Sequence, residues 1–243
     1  MANEKLEKFV RDTANSLGLD ITRYRPERTE VGRLTSMLNH HEVNCVLDIG
    51  ANSGQFATAL RKTGYKRRII SFEPLSAAYA ALIQASSPDV LWDVAPRVAV
   101  GDSAGEIDIH IAGNSVSSSL LKMLDSHVAA APTSAYIGTE RTDVRTLDDL
   151  AAQLVAADAR SFLKIDTQGY EAQVLNGASE TLNKVLGVQL ELSLVPLYEQ
   201  QVMYDELVER IRALGFEIWA IWPALFDPGT GRMVQADATF FRV

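Results

Sequence analysis

A short apolar run that ends in a glycine loop is the feature that most limits how this chain can fold. The run at residues 45–49 is too short for a helix, and Gly50 and Gly54 bracket the loop after it. Residues 55–62 then have the pattern of a helix that starts directly after the loop. A strand buried on both faces, a glycine loop and a helix in this order predict a nucleotide-binding crevice in a parallel sheet.

The spacing within the loop favours one kind of nucleotide over another. Dinucleotide-binding loops have glycines at the first, third and sixth positions, which lets a helix N-terminus take the pyrophosphate. Here Asn52, which tolerates a left-handed backbone, is at the third position, and a carboxylate, Asp48, precedes Gly50 by two residues. A carboxylate there would repel a pyrophosphate but could hold loop amides or an ammonium group. S-adenosylmethionine has an ammonium group and a ribose but no phosphate, so it fits better than NAD.

A second acid follows the next predicted strand. Residues 68–72 form an apolar run that ends at Glu73 and Pro74. A carboxylate at this distance from the loop can accept hydrogen bonds from both hydroxyls of a ribose. NAD would use the same feature, so Glu73 supports a nucleotide site without separating the two cofactors.

Six motifs follow one another along the chain in an order that is known from one family. They lie at residues 46–54, 72–74, 99–102, 117–120, 146–149 and 163–171. Together they resemble the FkbM family of S-adenosylmethionine-dependent methyltransferases, in register from the first strand to about residue 200. Many class I methyltransferases share the first motif, whereas the Lys-Ile-Asp-x-x-Gly-x-Glu pattern that starts at Lys164 is much more specific.

The resemblance implies a fold for residues 43–243. It is the α/β class I methyltransferase fold, a Rossmann-like three-layer sandwich whose mostly parallel, seven-stranded sheet has an antiparallel last strand. We place the third parallel strand at residues 97–100 and the fourth at residues 160–166. The closing antiparallel pair is predicted at residues 216–222 and 239–243. Glu106 to Ala112 alternates polar and apolar residues and is predicted as an inserted antiparallel strand.

An N-terminal helical segment is predicted at residues 1–42. Its apolar residues recur at helical spacing, and Gly18 is placed to end the first helix. The stripe consists of Leu6, Phe9, Val10, Ala14 and Leu17. By resemblance to similar enzymes the segment covers the cofactor site, and the alternative is a helix that packs on the surface of the domain.

Two acids are expected at the carboxyl edge of the sheet. Asp166 ends the fourth predicted strand and Glu191 ends the next one, and ligands of open parallel sheets bind at this edge, where the strand order reverses. A hydroxyl becomes a good nucleophile when a carboxylate takes its proton, and Asp166 is the first candidate for this role. Alternatively, Asp166 and Glu191 could share Mg²⁺, which would orient a diol and acidify one hydroxyl, although a third ligand is not visible.

The resemblance also implies further cofactor contacts. Asp102, after the third strand, would bind the exocyclic amine of adenine; the alternative is a turn aspartate bonded to its own backbone. Ser118 lies in a long polar segment, residues 113–135, which either forms a lid with hydrogen bonds to a ribose or substrate or caps a short helix at residues 120–124. The complete predicted cofactor set is Asp48, Gly50, Asn52, Gly54, Glu73, Pro74, Asp102 and Ser118.

Length, net charge and cysteine content limit the expected size of the domain, its kinds of partner and its location in the cell. A chain of 243 residues is long enough for one large α/β domain. Its formal net charge of −8 argues against a nucleic-acid partner, whose phosphates require a basic face. A single cysteine, Cys45, agrees with a reducing compartment, and neither a signal peptide nor a transmembrane run is evident, so a cytoplasmic protein is expected.

The sequence thus predicts an S-adenosylmethionine-dependent O-methyltransferase. The resemblance suggests as acceptor a hydroxyl of a sugar, an oligosaccharide or a glycosylated natural product. The alternatives are a polyketide or other small-molecule hydroxyl, a nicotinamide-dependent oxidoreductase on a similar sheet, and a catalytically silent module that keeps the cofactor pocket. A homo-oligomer is compatible with the sequence.

Overall fold

A seven-stranded sheet forms the centre of the protein in the computed structural model, which describes residues 2–21 and 25–242. The strands are β1 Cys45–Ile49, β2 Arg68–Phe72, β3 Trp92–Val94, β4 Ala99–Gly101, β5 Gly105–Ala112, β6 Tyr136–Thr146, β7 Ser161–Ile165, β8 Gly187–Ser193, β9 Phe216–Phe226 and β10 Met233–Arg242. The α-helices are α1 Ala2–Ser16, α2 Glu30–His40, α3 Gln55–Lys62, α4 Ser76–Ser86, α5 Asp125–Ala130, α6 Leu147–Leu154, α7 Glu171–Asn176, α8 Ser179–Leu182 and α9 Tyr204–Ala213.

The strand order of the main sheet is β3-β2-β1-β7-β8-β10-β9; β10 runs antiparallel to β8 and to β9, and the other four pairings are parallel. The order reverses between β1 and β7, so a crevice opens beyond their carboxyl ends. This arrangement confirms the predicted class I methyltransferase sheet with its antiparallel last strand.

Two apolar clusters cover the two faces of the sheet. Because side chains alternate along a strand, Val46 joins a cluster with α2, α3 and α4, whereas Leu47 joins a cluster with α6 to α9. All five residues of β1 are buried, as expected for a strand with a parallel neighbour on each side. Helices on both faces give the predicted three layers.

One strand assignment was wrong. The third strand of the main sheet is β3, whereas residues 99–101 form β4 in a separate three-stranded sheet of order β4-β6-β5. The amide of Ala95 still bonds to the carbonyl of Ser71, but the next residue, Pro96, has no amide hydrogen, so the ladder stops there. The inserted antiparallel strand was predicted correctly, because β5 pairs antiparallel with β6.

The long polar segment also differs from expectation. Its helix, α5, begins at Asp125, and residues 120–124 are not helical; Met123 instead forms an isolated bridge to Tyr198. The segment returns to the sheet through a bridge between Ser119 and His110 of β5. This bridge holds the serine cluster beside the carboxyl ends of the central strands.

The described part of the N-terminal segment contains the helices α1 and α2. In α1, Ala14 is buried, but Phe9 and Val10 are exposed, as is Leu17 just after the helix, while the side chain of Leu6 lies outside the described set. Within the described residues the apolar stripe is therefore mostly unpacked, and its covering role stays a prediction. Of the described helices, none combines the length and the apolar character needed to cross a membrane.

Candidate active site

A cavity of about 320 Å³ opens where the strand order reverses. Its walls are the loops after β1, β2 and β7, the first part of β4, and residues 115–120 after β5, the serine segment. Glu30 of α2 and Asp237 of β10 complete it. Both the position and the size are those of a small-molecule site in an α/β fold.

The loop after β1 depends on three residues with a left-handed backbone. They are Gly50, Asn52 and Gly54, with φ of +79°, +47° and +86°. A side chain on Gly50 would collide with the carbonyl oxygen of Asp166, and one on Gly54 would lie 2.7 Å from the Trp92 ring. Glycine is therefore required at both positions, whereas asparagine is tolerated between them, as the sequence predicts.

The side chain of Asn52 extends across the cavity wall. Its Oδ1 accepts a hydrogen bond from the amide of Ser53 at 2.8 Å, and its Nδ2 donates to the hydroxyl of Ser115 at 2.8 Å. Asn52 therefore ties the loop after β1 to the serine segment. Ser118, whose hydroxyl donates to the carbonyl of Ser115 at 2.7 Å, also lines the cavity.

Glu73 is a buried carboxylate on the wall of the cavity. Its Oε2 accepts from the amide of Asn52 and its Oε1 from the amide of Leu75, each at 2.8 Å. Burial raises the pKa of Glu73 to about 7, although these two bonds oppose the rise. Each oxygen keeps a free lone pair, so the carboxylate is able to accept from the two hydroxyls of a ribose. Pro74 lies beside it in the cavity wall.

Asp48 does not face the cavity. It is completely buried, with Oδ1 3.3 Å from Nζ of Lys164 and Oδ2 accepting from the hydroxyl of Ser71 at 3.2 Å. These partners differ from the loop amides or ligand ammonium group expected from sequence. The ion pair opposes the rise in pKa that burial imposes on Asp48.

Lys164 links the buried Asp48 to Asp166 in the cavity wall. Its Nζ also lies 3.2 Å from Oδ2 of Asp166, and the cation lies over the ring of Phe56. Burial alone would lower the pKa of Lys164, but the two carboxylates raise it, so the side chain is charged. Lys164 thus has two carboxylate partners.

Gln168 occupies the space between Asp166 and Glu191. Its Nε2 donates to Oδ1 of Asp166 at 2.9 Å and to Oε2 of Glu191 at 2.8 Å, while its Oε1 accepts from the hydroxyl of Tyr198 at 2.8 Å. A metal ion shared by the two acids would have to replace this amide donor. Among the described residues, no group of three or more His, Cys, Asp or Glu side chains could hold a metal ion. The residues present therefore do not fit the predicted Mg²⁺ site.

The loop that carries Gln168 has its own internal support. Gln168 and Gly169 have φ of +56° and +95°, and Oε1 of Glu171 accepts from the amides of Thr167 and Gly169 at 2.9 and 3.2 Å. Glu171 thus holds the loop from the first turn of α7. These contacts give Glu171 a structural role at its position in the motif.

Comparison with known proteins identifies the family. Residues 48–218 match the family model described as "Methyltransferase FkbM domain", which covers more than half of the chain. The chain belongs to the FkbM methyltransferase family. It is thus an S-adenosylmethionine-dependent methyltransferase. A curated relative, the 2-O-methyltransferase NoeI of Sinorhizobium fredii (strain NBRC 101917 / NGR234), is 26% identical over 184 residues, which cover 73% of this chain and 74% of that protein.

Solved methyltransferase structures resemble this FkbM protein at low identity. Streptococcus pneumoniae Sp1610, a putative tRNA (m1A22) methyltransferase, has a TM-score of 0.49 and 15% identity, and the match covers 88% of this chain and 70% of that one. Aeropyrum pernix fibrillarin, solved with bound S-adenosyl-L-methionine, has a TM-score of 0.45 and 13% identity, and the match covers 81% of this chain and 66% of that one. Both TM-scores lie below 0.5, so the assignment to the class I fold rests on the strand order.

Four predicted site residues are not among those that line the cavity of this FkbM protein: Asp48, Gly54, Asp102 and Glu191. Asp102 is exposed, and its Oδ1 accepts from the hydroxyl of Ser103 at 3.1 Å, because β4 has left the main sheet. Val98, Ala99 and Val100 line the cavity instead. Glu191 is half-buried and meets the cavity only through Gln168.

Two acidic residues of the cavity, Glu30 and Asp237, were missed from sequence. Asp237 lies in β10, beyond the segment that matches the family, and is the register partner of Glu191 in β8. Only residues 239–243 were predicted as this strand, and the last of them, Val243, lies outside the described residues. The alternation of Gln235, Asp237 and Thr239 with apolar residues was the available signal, because it indicates a polar face on a strand.

Proposed function

We propose that the protein transfers the methyl group of S-adenosylmethionine to a hydroxyl oxygen of a sugar or a sugar-containing small molecule. The observation that carries the proposal is the row of acids at one end of the cavity, formed by Glu30, Asp166 and Asp237. Carboxylates accept hydrogen bonds from hydroxyl groups and cannot donate them when ionised, which suits a polyol acceptor. The curated 2-O-methyltransferase relative supports oxygen as the methylated atom.

The other end of the cavity fits the methyl donor. Glu73 would accept from the ribose hydroxyls, and the loop at Gly50 and Asn52 would contact the amino-acid portion. Val98 and Val100 give an apolar wall for the adenine ring. The donor would supply an electrophilic methyl group on a sulfonium sulfur, whose positive charge the carboxylate of Asp166 attracts. The donor therefore occupies the β1 and β2 side, and the acceptor occupies the β7, β8 and β10 side.

Alignment is the main task of the remaining residues. Asp166 is held by Lys164 and Gln168, so its carboxylate has a fixed direction at the border between the two halves of the cavity. Glu191 acts on Asp166 indirectly, because both carboxylates accept a hydrogen bond from the side-chain amide of Gln168. A fixed arrangement of nucleophile and donor can supply much of the acceleration of an in-line displacement.

The charge of the site also bears on the choice of acceptor. The cavity wall contains Glu30, Glu73, Asp166 and Asp237 against a single lysine, Lys164. Such a wall repels phosphate groups, and the net charge of −8 adds to this effect. We therefore propose a small-molecule or oligosaccharide acceptor and not a nucleic acid.

The proposal is tested with a panel of acceptors. S-adenosylmethionine and the protein are incubated with methyl glycosides, disaccharides, a macrolide polyketide, catechol and a short RNA, each with and without EDTA. S-adenosylhomocysteine is quantified by mass spectrometry, and the methylated atom is located by NMR.

We expect turnover on a glycoside, an O-methyl product and no effect of EDTA. Turnover only on RNA, only on the macrolide or catechol, or at a nitrogen atom would refute the proposed acceptor. Calorimetric binding of S-adenosylmethionine with no turnover on any acceptor, and no difference between the wild type and Asp166→Ala, would indicate a silent module.

A further inference from the structure

The carboxylates of the site differ in whether their oxygens are already engaged. Asp166 accepts from Gln168 through Oδ1 and contacts the ammonium of Lys164 through Oδ2. Each oxygen of Asp166 therefore already has a partner, an amide donor on one side and an ammonium group on the other. This geometry suits a group that orients a hydroxyl, and it leaves neither oxygen without a donor.

Two other acids are also engaged. Glu73 accepts from the amides of Asn52 and Leu75 on the donor side of the cavity. Burial raises the pKa of Glu30, and a hydrogen bond that its carboxylate accepts from Nε2 of Gln189 at 3.4 Å opposes the rise. Neither is an unoccupied base on the acceptor side.

Asp237 differs from these acids. Its carboxylate lines the cavity and has no hydrogen bond or ion pair with any residue in the described part of the chain. β10 lies between β8 and β9, so a strand on each side fixes the backbone of Asp237. We propose that Asp237 takes the proton of the acceptor hydroxyl during methyl transfer, a role that rests on the proposed function.

The surroundings of Asp237 support a base that works near neutral pH. The charged groups around it are Lys164 in β7, Asp166 directly after β7, Glu191 of β8, Glu171 of α7 and Glu30 of α2. Burial raises the pKa of Asp237 to about 7, the nearby acids add to the rise, and Lys164 opposes it. A general base is most effective when its pKa is close to the working pH.

The chemical step then balances without a further reactant. A lone pair of the acceptor oxygen forms the new bond to the methyl carbon as the carbon–sulfur bond breaks, and the electron pair of that bond stays on sulfur. The proton of the hydroxyl moves to the carboxylate of Asp237. The products are a methyl ether, neutral S-adenosylhomocysteine and protonated Asp237, which returns its proton to water.

The test compares Asp237→Asn with Glu30→Gln, which changes another acid of the same cavity in the same way. kcat is measured from pH 5.5 to 9 with saturating S-adenosylmethionine and the best glycoside acceptor of the panel. For the wild type we expect kcat to rise with pH through about 7, since Asp237 acts when it is deprotonated. Asp237→Asn should lower kcat by about 10²- to 10⁴-fold and remove that dependence, whereas Glu30→Gln should keep it.

Two measurements that do not depend on turnover accompany the kinetics. Calorimetry should give the same affinity for S-adenosylmethionine in Asp237→Asn as in the wild type, which also shows that the variant is folded. A ¹³C NMR titration should show one carboxyl group fewer titrating near pH 7 in Asp237→Asn. Asp237→Glu, which keeps a carboxylate, should regain part of the activity and the rise with pH.

The outcomes separate the two proposals. If the wild type methylates a glycoside and Asp237→Asn keeps its activity or its pH dependence, this inference is overturned and the proposed function stands. Loss of the pH dependence in Glu30→Gln alone would overturn it as well, in favour of Glu30. If the wild type methylates no hydroxyl, the proposed function and this inference both fall.

Discussion

The two ion pairs of Lys164 make one side chain important for the stability of the whole fold. Its Nζ lies 3.3 Å from the buried Asp48 and 3.2 Å from Asp166, and only 9% of the side chain is exposed. In Lys164→Met, Asp166 can still be hydrated from the cavity, whereas Asp48 has no solvent contact and keeps only the hydroxyl of Ser71. Removal of one partner from a buried ion pair costs about 3–5 kcal/mol, out of a total stability of about 5–15 kcal/mol.

Urea unfolding at pH 8 measures this loss, which should lower the midpoint by more than about 1 M. Without the ammonium group, the pKa of Asp48, already raised by burial, lies still further above its value in the unfolded chain. A raised pKa in the folded state gives stability that is complete at low pH and is lost as the pH rises. The loss of unfolding free energy in Lys164→Met should therefore become smaller as the pH is lowered from 8 to 5.

The double variant Asp48→Asn/Lys164→Met is the control, because it removes the stranded charge together with its partner. It should recover most of the lost stability, and its unfolding free energy should depend less on pH than that of Lys164→Met. A loss below about 1 kcal/mol in the single variant, or a double variant no more stable than the single one, would refute this account of the ion pair.

Three further predictions concern the donor loop and the packing of α8. At pH 8.5, above the pKa of Glu73 of about 7, Glu73→Gln should weaken S-adenosylmethionine binding by about 10- to 100-fold in calorimetry, because bonds to a charged acceptor become bonds to a neutral one. Gly50→Ala should lower the unfolding free energy by about 1–3 kcal/mol and abolish donor binding, whereas Gly105→Ala, where an added Cβ meets nothing within 4 Å, should do neither. Burial alone would raise the pKa of Asp148, but its bonds to the first turn of α8 lower it. Its stabilisation is therefore present above the unfolded pKa and lost as the pH falls through the folded one, so Asp148→Ala should cost about 1 kcal/mol in urea at pH 7 and little at pH 2.

The sequence predicted well those features that are determined locally. The apolar run of β1, the glycines of its loop and the acid after β2 are all readable within a few residues, and they form one wall of the cavity. The same holds for Asp166, whose position follows from the end of a single strand. Thr146 is a further example, because its hydroxyl accepts from the amide of Asp149 as the N-cap of α6.

Features that depend on pairing between distant segments were not predicted. β3 has only three residues, and Pro96 ends its pairing with β2, so the chain leaves the main sheet there. Asp102, which follows β4 of the other sheet, was therefore assigned to the wrong edge. Asp237 reaches the site only because β10 inserts beside β8. The amide of Gln168 between Asp166 and Glu191 depends on its left-handed backbone, which its residue type does not reveal.

The contact between Gly50 and Asp166 has a consequence for how such enzymes can diverge. The amide of Asp166 donates to the carbonyl of Ile49 at 3.1 Å, and the carbonyl of Asp166 packs directly against Gly50. The spacing between the loop after β1 and the end of β7 is therefore set by main-chain atoms, as long as Gly50 is kept. Substitutions in the serine segment or in α2 can reshape other parts of the cavity wall, while this distance across the cavity is retained.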